Sequence, residues 1–189
     1  MVTELKIMKT SILLLLFIFT FHTAIADVSS PEKQALVDLY HATNGDHWTE
    51  SWDLTTAVEN WKGVTVINDK VVALQLTHNN LTGELPTSIG DLVNLKVLNL
   101  HNNTLKGNLP TSIGNLHALK ILNISLNTFQ GNVPEDISKI KSLEHLYIFA
   151  NDFTGTLAPT ISELPTIKSI QMYATYIQTD VTNTLASID

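Results

Sequence analysis

Apolar residues in the central part of the chain recur at a fixed interval. From Val71 onward the sequence divides into units of 24 residues, and each unit opens with apolar positions set among polar ones, as at Leu95, Leu98, Leu100 and Leu105. A period of two predicts a strand with one face turned inward. Self-similarity at the longer period is typical of a solenoid, in which a short unit cannot bury its apolar side alone and stacks on its neighbours.

Four of the units place an asparagine at the same position after the strand. The stretch "NNLTGELP" at 79–86 returns as "NTLKGNLP" at 103–110 and, more loosely, at 127 and 151. An asparagine amide both donates and accepts hydrogen bonds, so it can satisfy the backbone groups of a tight turn. When the units stack, we expect these side chains to form a buried polar ladder, whose members are Asn79, Asn103, Asn127 and Asn151.

Glycine and proline follow the asparagine. Glycine bends the chain where a β-carbon would obstruct it, and proline fixes the backbone that follows. These residues predict a corner in each unit. The return leg, "TSIGDL" or "TSIGNL", then closes the core with two apolar residues per unit, such as Ile89 and Leu92.

Different sequences stand at the two ends of the repeats. Residues 1–26 combine a short basic lead with an apolar run from Ile12 to Phe21 and predict a signal peptide. That run is about half the length that a bilayer crossing needs, although a retained membrane anchor stays open as the alternative. Residues 27–70 predict an N-terminal cap, with a helix that starts near Pro31 after Ser29 or Ser30 and a group of three tryptophans. Residues 167–189 form a degenerate fifth unit that we expect to cover the other end.

The composition excludes several classes of function. The chain has no cysteine, a net charge of -7 and no cluster among its 11 basic residues. Nucleic acid and anionic membrane surfaces reward clustered Lys and Arg, so neither is an expected partner. No motif of a catalytic site is present. His78 and His101 should lie on neighbouring strands, but no third ligand joins them, which favours surface imidazoles over a metal site. The sequence therefore predicts neither an enzyme nor a cofactor.

The outward-facing residues of the strands carry the functional hypothesis. Stacking should place equivalent residues side by side about 4.8 Å apart. Two rows result, one with Gln75, Asn99, Asn123, Tyr147 and Gln171, and one with Thr77, His101, Ser125, Phe149 and Tyr173. Together with His145, the aromatic members gather in the C-terminal half of the sheet, and grouped exposed aromatics serve as anchors in binding surfaces. The alternative is that these residues simply form strands well, or pack beneath another copy of the chain.

The units resemble the plant-type leucine-rich repeats, LxxLxLxxNxLxGxIPxxIGxLxx, closely over residues 71–166 and weakly over 167–189. The resemblance implies an α/β solenoid that forms a right-handed curved superhelix, with a parallel β-sheet on its concave face and about five 24-residue repeats behind a helical N-terminal cap. Plant caps of this kind carry a cysteine pair where this chain has Glu59 and Val66. Its absence implies a secreted bacterial or other microbial protein rather than a plant receptor ectodomain.

These observations lead to one preferred function and two others. The preferred function is a secreted, extracellular or periplasmic recognition module without catalytic activity, which binds a protein or peptide on its concave sheet through Asn99, His101, Asn123, Ser125, His145, Tyr147, Phe149, Gln171 and Tyr173. A carbohydrate binder, or an inhibitor of a secreted polysaccharide-degrading enzyme like the plant polygalacturonase inhibitors, is the alternative. Ice binding would need a regular lattice of equivalent Thr or Asn, which the two rows lack. No membrane insertion is expected after signal cleavage, and an oligomer stays possible.

Overall fold

The computed structural model describes residues 28–178. The predicted signal peptide, residues 1–26, and the last part of the fifth unit lie outside the described residues. Two helices are present in this range, α1 (Ser30–Ala42) and α2 (Pro159–Ser162). The strands, in chain order, are β1 (Val64–Ile67), β2 (Lys70–Gln75), β3 (Thr82–Glu84), β4 (Val97–Asn99), β5 (Thr104–Asn108), β6 (Ile121–Asn123), β7 (Thr128–Asn132), β8 (His145–Tyr147), β9 (Asp152–Thr154) and β10 (Ser169–Gln171).

One strand from each repeat joins a six-stranded sheet in the order β1-β2-β4-β6-β8-β10. From β2 onward the strands are parallel, and residues 24 positions apart pair directly, as Leu74 with Leu98 and Leu98 with Leu122. Equivalent sequence positions therefore form physical rows across the sheet. The solenoid that the repeat predicts is confirmed.

A second sheet follows where the sequence analysis predicts only a corner. Strands β3, β5, β7 and β9 form a four-stranded parallel sheet. Its partners are 22 residues apart rather than 24, as Thr82 with Thr104 and Gln130 with Asp152. The bend itself is present at the glycines. Gly83 has φ 85°, and a β-carbon there would lie 2.3 Å from the backbone carbonyl oxygen of Ala42, so a larger residue would clash with the cap.

The return leg of each repeat forms a short 3₁₀ turn that closes the core. These turns span Thr87–Asp91, Thr111–Asn115 and Glu135–Lys139. Ile89, Leu92, Ile113 and Leu116 are fully buried there, facing the leucines of the six-stranded sheet, which are also fully buried. The core is thus one continuous stack of apolar layers, one layer per repeat.

The four asparagines that follow the strands are buried between repeats. Asn103 shows the arrangement most fully: its Oδ1 accepts from the backbone N–H groups of Asn79 and Leu81, both at 3.0 Å. Its Nδ2 donates to the carbonyls of Leu76 (2.8 Å) and Leu100 (2.9 Å). One side chain therefore satisfies backbone groups of its own repeat and of the preceding one.

The N-terminal segment covers the open end of the first repeat. Helix α1 packs against the turn Thr87–Asp91 and against β3, while β1 adds to the six-stranded sheet in antiparallel orientation. Trp48, Trp52 and Trp61 are all buried. Ser29 occupies the N-cap position, but its hydroxyl donates to the carboxylate of Glu32 at 3.1 Å instead of accepting from a backbone N–H. The prediction of the helix start is correct, and its mode of capping differs.

The fifth unit ends the ladder. Thr175 stands in place of the asparagine, and its hydroxyl bonds to the carbonyl of Met172 at 2.6 Å. A threonine side chain is too short to reach the preceding repeat as the asparagines do. Within residues 28–178, no helix is long and apolar enough to cross a membrane.

Candidate functional site

The exposed face of the six-stranded sheet carries three rows of side chains, two of which were predicted from the sequence. The additional row precedes the other two on each strand, and only its member His145 was predicted. Its residues are all half-buried: Ala73, Val97, Ile121, His145 and Ser169. Its pairing follows the same register of 24, as Val97 with Ile121 and Ile121 with His145. The signal was available, because strict alternation about the core leucine places this position outward as well. Over β2, β4 and β6 this row is apolar, so the N-terminal half of the face has an apolar margin beside its amides and hydroxyls.

Ser125, one of the predicted ligand-binding residues, follows β6 but is fully buried, so its side chain is not accessible to a ligand in this arrangement. His101 and Phe149 belong to the repeats on either side of it, and their rings approach to 6.3 Å between centroids. A serine is small enough for its two neighbours to close over it. Its role is to hold His101, whose Nδ1 lies 2.8 Å from the Ser125 hydroxyl.

This contact fixes the protonation of the imidazole. The Ser125 hydroxyl donates its single proton to Oδ1 of Asn123 at 2.6 Å. A hydroxyl has one proton to give, so His101 Nδ1 must carry the proton of their shared hydrogen bond. In the neutral ring Nε2 is then an acceptor.

The amides of Asn99 and Asn123 are oriented by the backbone. Oδ1 of Asn99 accepts from the N–H of His101, and Oδ1 of Asn123 accepts from the N–H of Ser125, each at 3.2 Å. An amide whose oxygen is held by an N–H donor presents its NH₂ group to other partners. The N-terminal half of the face therefore offers a pair of amide donors beside an imidazole acceptor.

Stacked rings cover the C-terminal half. We use "aromatic patch" for His145, Tyr147, Phe149 and Tyr173. Phe149 and Tyr173 stack at 4.5 Å between centroids with 13° between their planes, and Tyr173 is 63% exposed. His145 and Tyr147 stack at 5.9 Å, and the Tyr147 hydroxyl lies 3.2 Å from His145 Nδ1. Gln171 is exposed on β10 beside them. Rings held flat against one another on a sheet form a rigid apolar surface.

Charged groups stand at the edge of this face. Hydrogen bonds from Lys168 and Lys120 lower the pKa of Glu144 to about 2. The two lysines are more than half exposed, so water screens the interaction and its contribution to stability is small. On the face itself, burial lowers the pKa of His101 below its ordinary value of 6.5, and the nearby His78 adds to this effect. His101 is therefore neutral at physiological pH.

We expect the free energy of unfolding to decrease as the pH falls below 6.5, partly because of His101. Its pKa is lower in the folded protein than the ordinary value of 6.5 that it takes when unfolded. Below that pH the unfolded chain binds more protons, which favours unfolding, whereas above it His101 is neutral in both states and contributes no pH dependence.

Urea unfolding between about pH 8 and about pH 5, followed by circular dichroism, measures this dependence. His101→Gln should flatten the curve below pH 6.5 relative to the unmodified chain. The matched control is His117→Gln, which removes an exposed histidine. An unchanged pH dependence in the His101 variant would contradict the assignment.

The face lacks the elements of hydrolytic or metal chemistry among the residues described. Ser125 is inaccessible and donates its proton to an amide, so it is not poised as a nucleophile. Within residues 28–178, no three His, Asp or Glu side chains converge as a metal site would require. What the arrangement provides is shape, ring surface and oriented hydrogen-bonding groups.

Comparison with known proteins shows which family has this architecture. The family model described as "Leucine-rich repeat region" matches residues 72–188. Polygalacturonase inhibitor 1 of Arabidopsis thaliana is 31% identical over 97 residues, which are 48% of this chain and 29% of the inhibitor. The chain thus spans less than a third of that relative's length.

Two solved structures extend the comparison. A plant ice-binding protein superposes with a TM-score of 0.72 at 27% identity, over 78% of this chain and 49% of that one. The plant peptide hormone receptor RGFR1, in complex with RGF2, superposes with a TM-score of 0.52 at 30% identity, over 53% of this chain and 16% of the receptor. The family match covers more than half of the chain and agrees with the repeat register, so the chain belongs to the leucine-rich repeat family, in its plant-type form.

Proposed function

We propose that this protein is a non-catalytic recognition module that binds a protein or peptide on the exposed, concave face of its six-stranded sheet. The stacked pair of Phe149 and Tyr173 carries the proposal. Tyr173, two residues past the end of β10, is 63% exposed although it packs against another ring. Large aromatic side chains in such a position are typical anchors of binding surfaces, because they bury much area and lose little conformational freedom.

The rest of the face suits an extended peptide. Beside the aromatic patch, Asn99 and Asn123 present amide donors, and His101 presents an acceptor. Peptide backbones need both kinds of partner, since every residue except proline has one donor and one acceptor. The half-buried Val97 and Ile121 add an apolar strip for a side chain. The similarity to a peptide hormone receptor supports this reading.

We also infer that the module acts outside the cytoplasm. The apolar run of residues 12–21 behind a basic lead supports export. The charge of -7 and the lack of clustered lysine speak against nucleic acid and anionic membranes as partners.

Panning a phage-displayed library of random peptides against the purified protein tests the proposed function. We expect enriched peptides whose synthetic forms bind the protein in surface plasmon resonance. Tyr173→Ala and Phe149→Ala should each weaken that binding by at least about tenfold, as loss of an aromatic anchor does. Val93→Ala, which removes an apolar side chain 49% exposed on another part of the surface, is the matched control. Peptide binding unaffected by both aromatic variants would refute the concave site.

An inhibitor of a polysaccharide-degrading enzyme is the second candidate. It is favoured by the 31% identity to polygalacturonase inhibitor 1 over 97 residues. In this case the partner is the enzyme, and inhibition of pectin hydrolysis by the purified chain, lost in Tyr173→Ala, would favour it over a free peptide. Ice binding has less support, because the rows change from amides to aromatics between β6 and β8 and present no regular lattice. Measurable thermal hysteresis would contradict that conclusion.

A further inference from the structure

A notch lies beside the aromatic patch, at the side of the solenoid where the strands of the six-stranded sheet end. It encloses about 410 Å³ and is lined by Asn127, Thr128, Ala150, Asn151, Asp152, Ala174, Thr175 and Tyr176. Ala150 and Ala174 directly follow Phe149 and Tyr173 in the chain. A ligand on the patch can therefore extend a side chain into the notch without leaving the surface.

Small residues create this space. The residue before each ladder position has a left-handed backbone in every repeat, and its identity along the solenoid is His78, Asn102, Leu126, Ala150 and Ala174, with φ between 51° and 55°. Because the backbone is the same, the side chains leave the chain in the same direction. In the first three repeats the larger side chains of His78, Asn102 and Leu126 occupy this space, whereas the last two repeats have only the methyl groups of Ala150 and Ala174. Within residues 28–178, the two alanines therefore leave space at this end of the solenoid.

The polar groups that line the notch are occupied, with two exceptions. The amides of Asn127 and Asn151 bond to backbone groups on both their oxygen and their nitrogen. The hydroxyls of Thr128 and Thr175 donate to backbone carbonyls. Within residues 28–178, the Asp152 carboxylate makes no hydrogen bond or ion pair, and the Tyr176 hydroxyl makes no hydrogen bond. The side chains of the notch therefore offer one negative charge and almost no neutral hydrogen-bonding groups.

Asp152 departs from its counterparts in the preceding repeats. Thr104 and Thr128 hold the same place in their units, and their hydroxyls donate to the carbonyls of Leu81 (3.0 Å) and Leu105 (2.8 Å). A carboxylate has no proton to donate, so Asp152 gives up that bond and remains an exposed acceptor. The replacement adds a charge and no internal contact.

Tyr176 also lines the notch, at the position of the fifth unit that is equivalent to Asp152. Its ring is 70% exposed, and its backbone is held by a 2.8 Å hydrogen bond from its N–H to the carbonyl of Phe153. An aromatic face next to an unpaired carboxylate is the combination that binds a cationic side chain, since the ring attracts the charge and the carboxylate accepts its protons. A sugar would need several neutral donors and acceptors, which are already engaged here.

We propose that the notch is a subsite for a basic side chain of the ligand, with arginine preferred to lysine. The planar guanidinium can lie on the Tyr176 ring while it bonds to both oxygens of Asp152. The net charge of -7 favours the approach of a basic ligand. This inference rests on the proposed function, because it assigns one pocket of the same surface.

The first test uses a small probe and does not depend on a peptide ligand. Titration of the protein with N-acetyl-arginine amide, followed by NMR of the backbone amides, should shift the signals of Ala150 to Asp152 and Ala174 to Tyr176 in a saturable way. We expect a dissociation constant on the order of millimolar. The citrulline analogue, which has the same shape without charge, should leave these signals in place.

Variants test whether the Asp152 carboxylate binds the probe. Asp152→Asn should weaken probe binding by about fivefold, the upper end of what loss of an exposed ion pair costs. Asp91→Asn, which removes an exposed carboxylate elsewhere, should leave it unchanged. Equal shifts with arginine and citrulline probes, no shift at the notch, or an unaffected Asp152→Asn variant would each overturn the subsite.

The peptide panning described above separates this inference from the proposed function. If enriched peptides carry arginine or lysine and lose binding to Asp152→Asn, the recognition function and the subsite are both supported. If they bind through Tyr173 but need no basic residue, the recognition function stands and the subsite is overturned. If the arginine probe binds in the notch but no peptide is enriched, the subsite stands and the peptide-binding function fails.

Discussion

Replacing Asn103 with alanine is expected to lower the free energy of unfolding by about 4 kcal/mol, because it leaves three buried backbone groups without partners. The side chain is the acceptor for the N–H groups of Asn79 and Leu81 and a donor to the carbonyl of Leu76. The carbonyl of Leu100 keeps a second bond, from Asn127, and is less affected. Both orphaned N–H groups belong to the preceding repeat, so the loss weakens the contact between repeats.

The ladder position sets the size of the effect. Asn151→Ala should cost less than Asn103→Ala, because it orphans only the N–H of Phe129 and the carbonyl of Ile148. The control is Asn115→Ala on an exposed turn position, which should change stability by no more than about 0.5 kcal/mol. Urea unfolding followed by circular dichroism measures all three. Equal stabilities for Asn103→Ala and Asn115→Ala would show that the ladder does not hold the repeats together.

The sequence predicts the five parallel strands of the six-stranded sheet well because their cause is local and repeated, whereas it does not predict the antiparallel β1 of the cap. Alternation sets the inward face, and a period of 24 fixes the register, so Leu74, Leu98 and Leu122 had to form one row across the sheet. The second sheet has no such signal. Its strands are three to five residues long, and three of the four contain the glycine at which the chain bends, as in Thr82–Glu84 and Thr104–Asn108. Glycine disfavours a strand by propensity, and here the stacking of neighbouring repeats overrides that preference.

The sequence predicts which residues of the candidate site line up in rows, but not which of their side chains are accessible. Register alone places Phe149 next to Tyr173, and the stacked rings follow from it. Whether a side chain in a row is accessible depends on the size of its neighbours, and Ser125 is covered because the rings on either side are large. The notch is hidden from sequence reasoning for a related reason. It arises from the small size of Ala150 and Ala174, and neither alanine has a chemical group that would draw attention to it.

Replacing Trp52 with alanine is expected to destabilise the protein by about 4 kcal/mol, within the range of large-to-small changes at buried aromatic residues. Its ring stacks on Trp61 at 4.9 Å and meets Trp48 edge-on at 4.8 Å, and its indole N–H donates to the carbonyl of Lys62 at 2.8 Å. Removing it empties the centre of the cap. Because each unit of a solenoid is stabilised by its neighbours, an open cap also exposes the first repeat.

Hydrogen exchange locates this loss, and urea unfolding measures its size. In Trp52→Ala, protection should fall most in α1 (Ser30–Ala42) and β2 (Lys70–Gln75) and least in β6 (Ile121–Asn123), which lies two strands beyond β2 in the sheet. Trp52→Phe keeps an aromatic ring but loses the bond to Lys62, so it should cost about 1 to 2 kcal/mol. Tyr176→Ala, which removes an exposed ring, controls for aromatic loss without a packing role. Protection lost equally in β2 and β6 would mean that the repeats unfold as one unit and that the cap does not act as a separate cover.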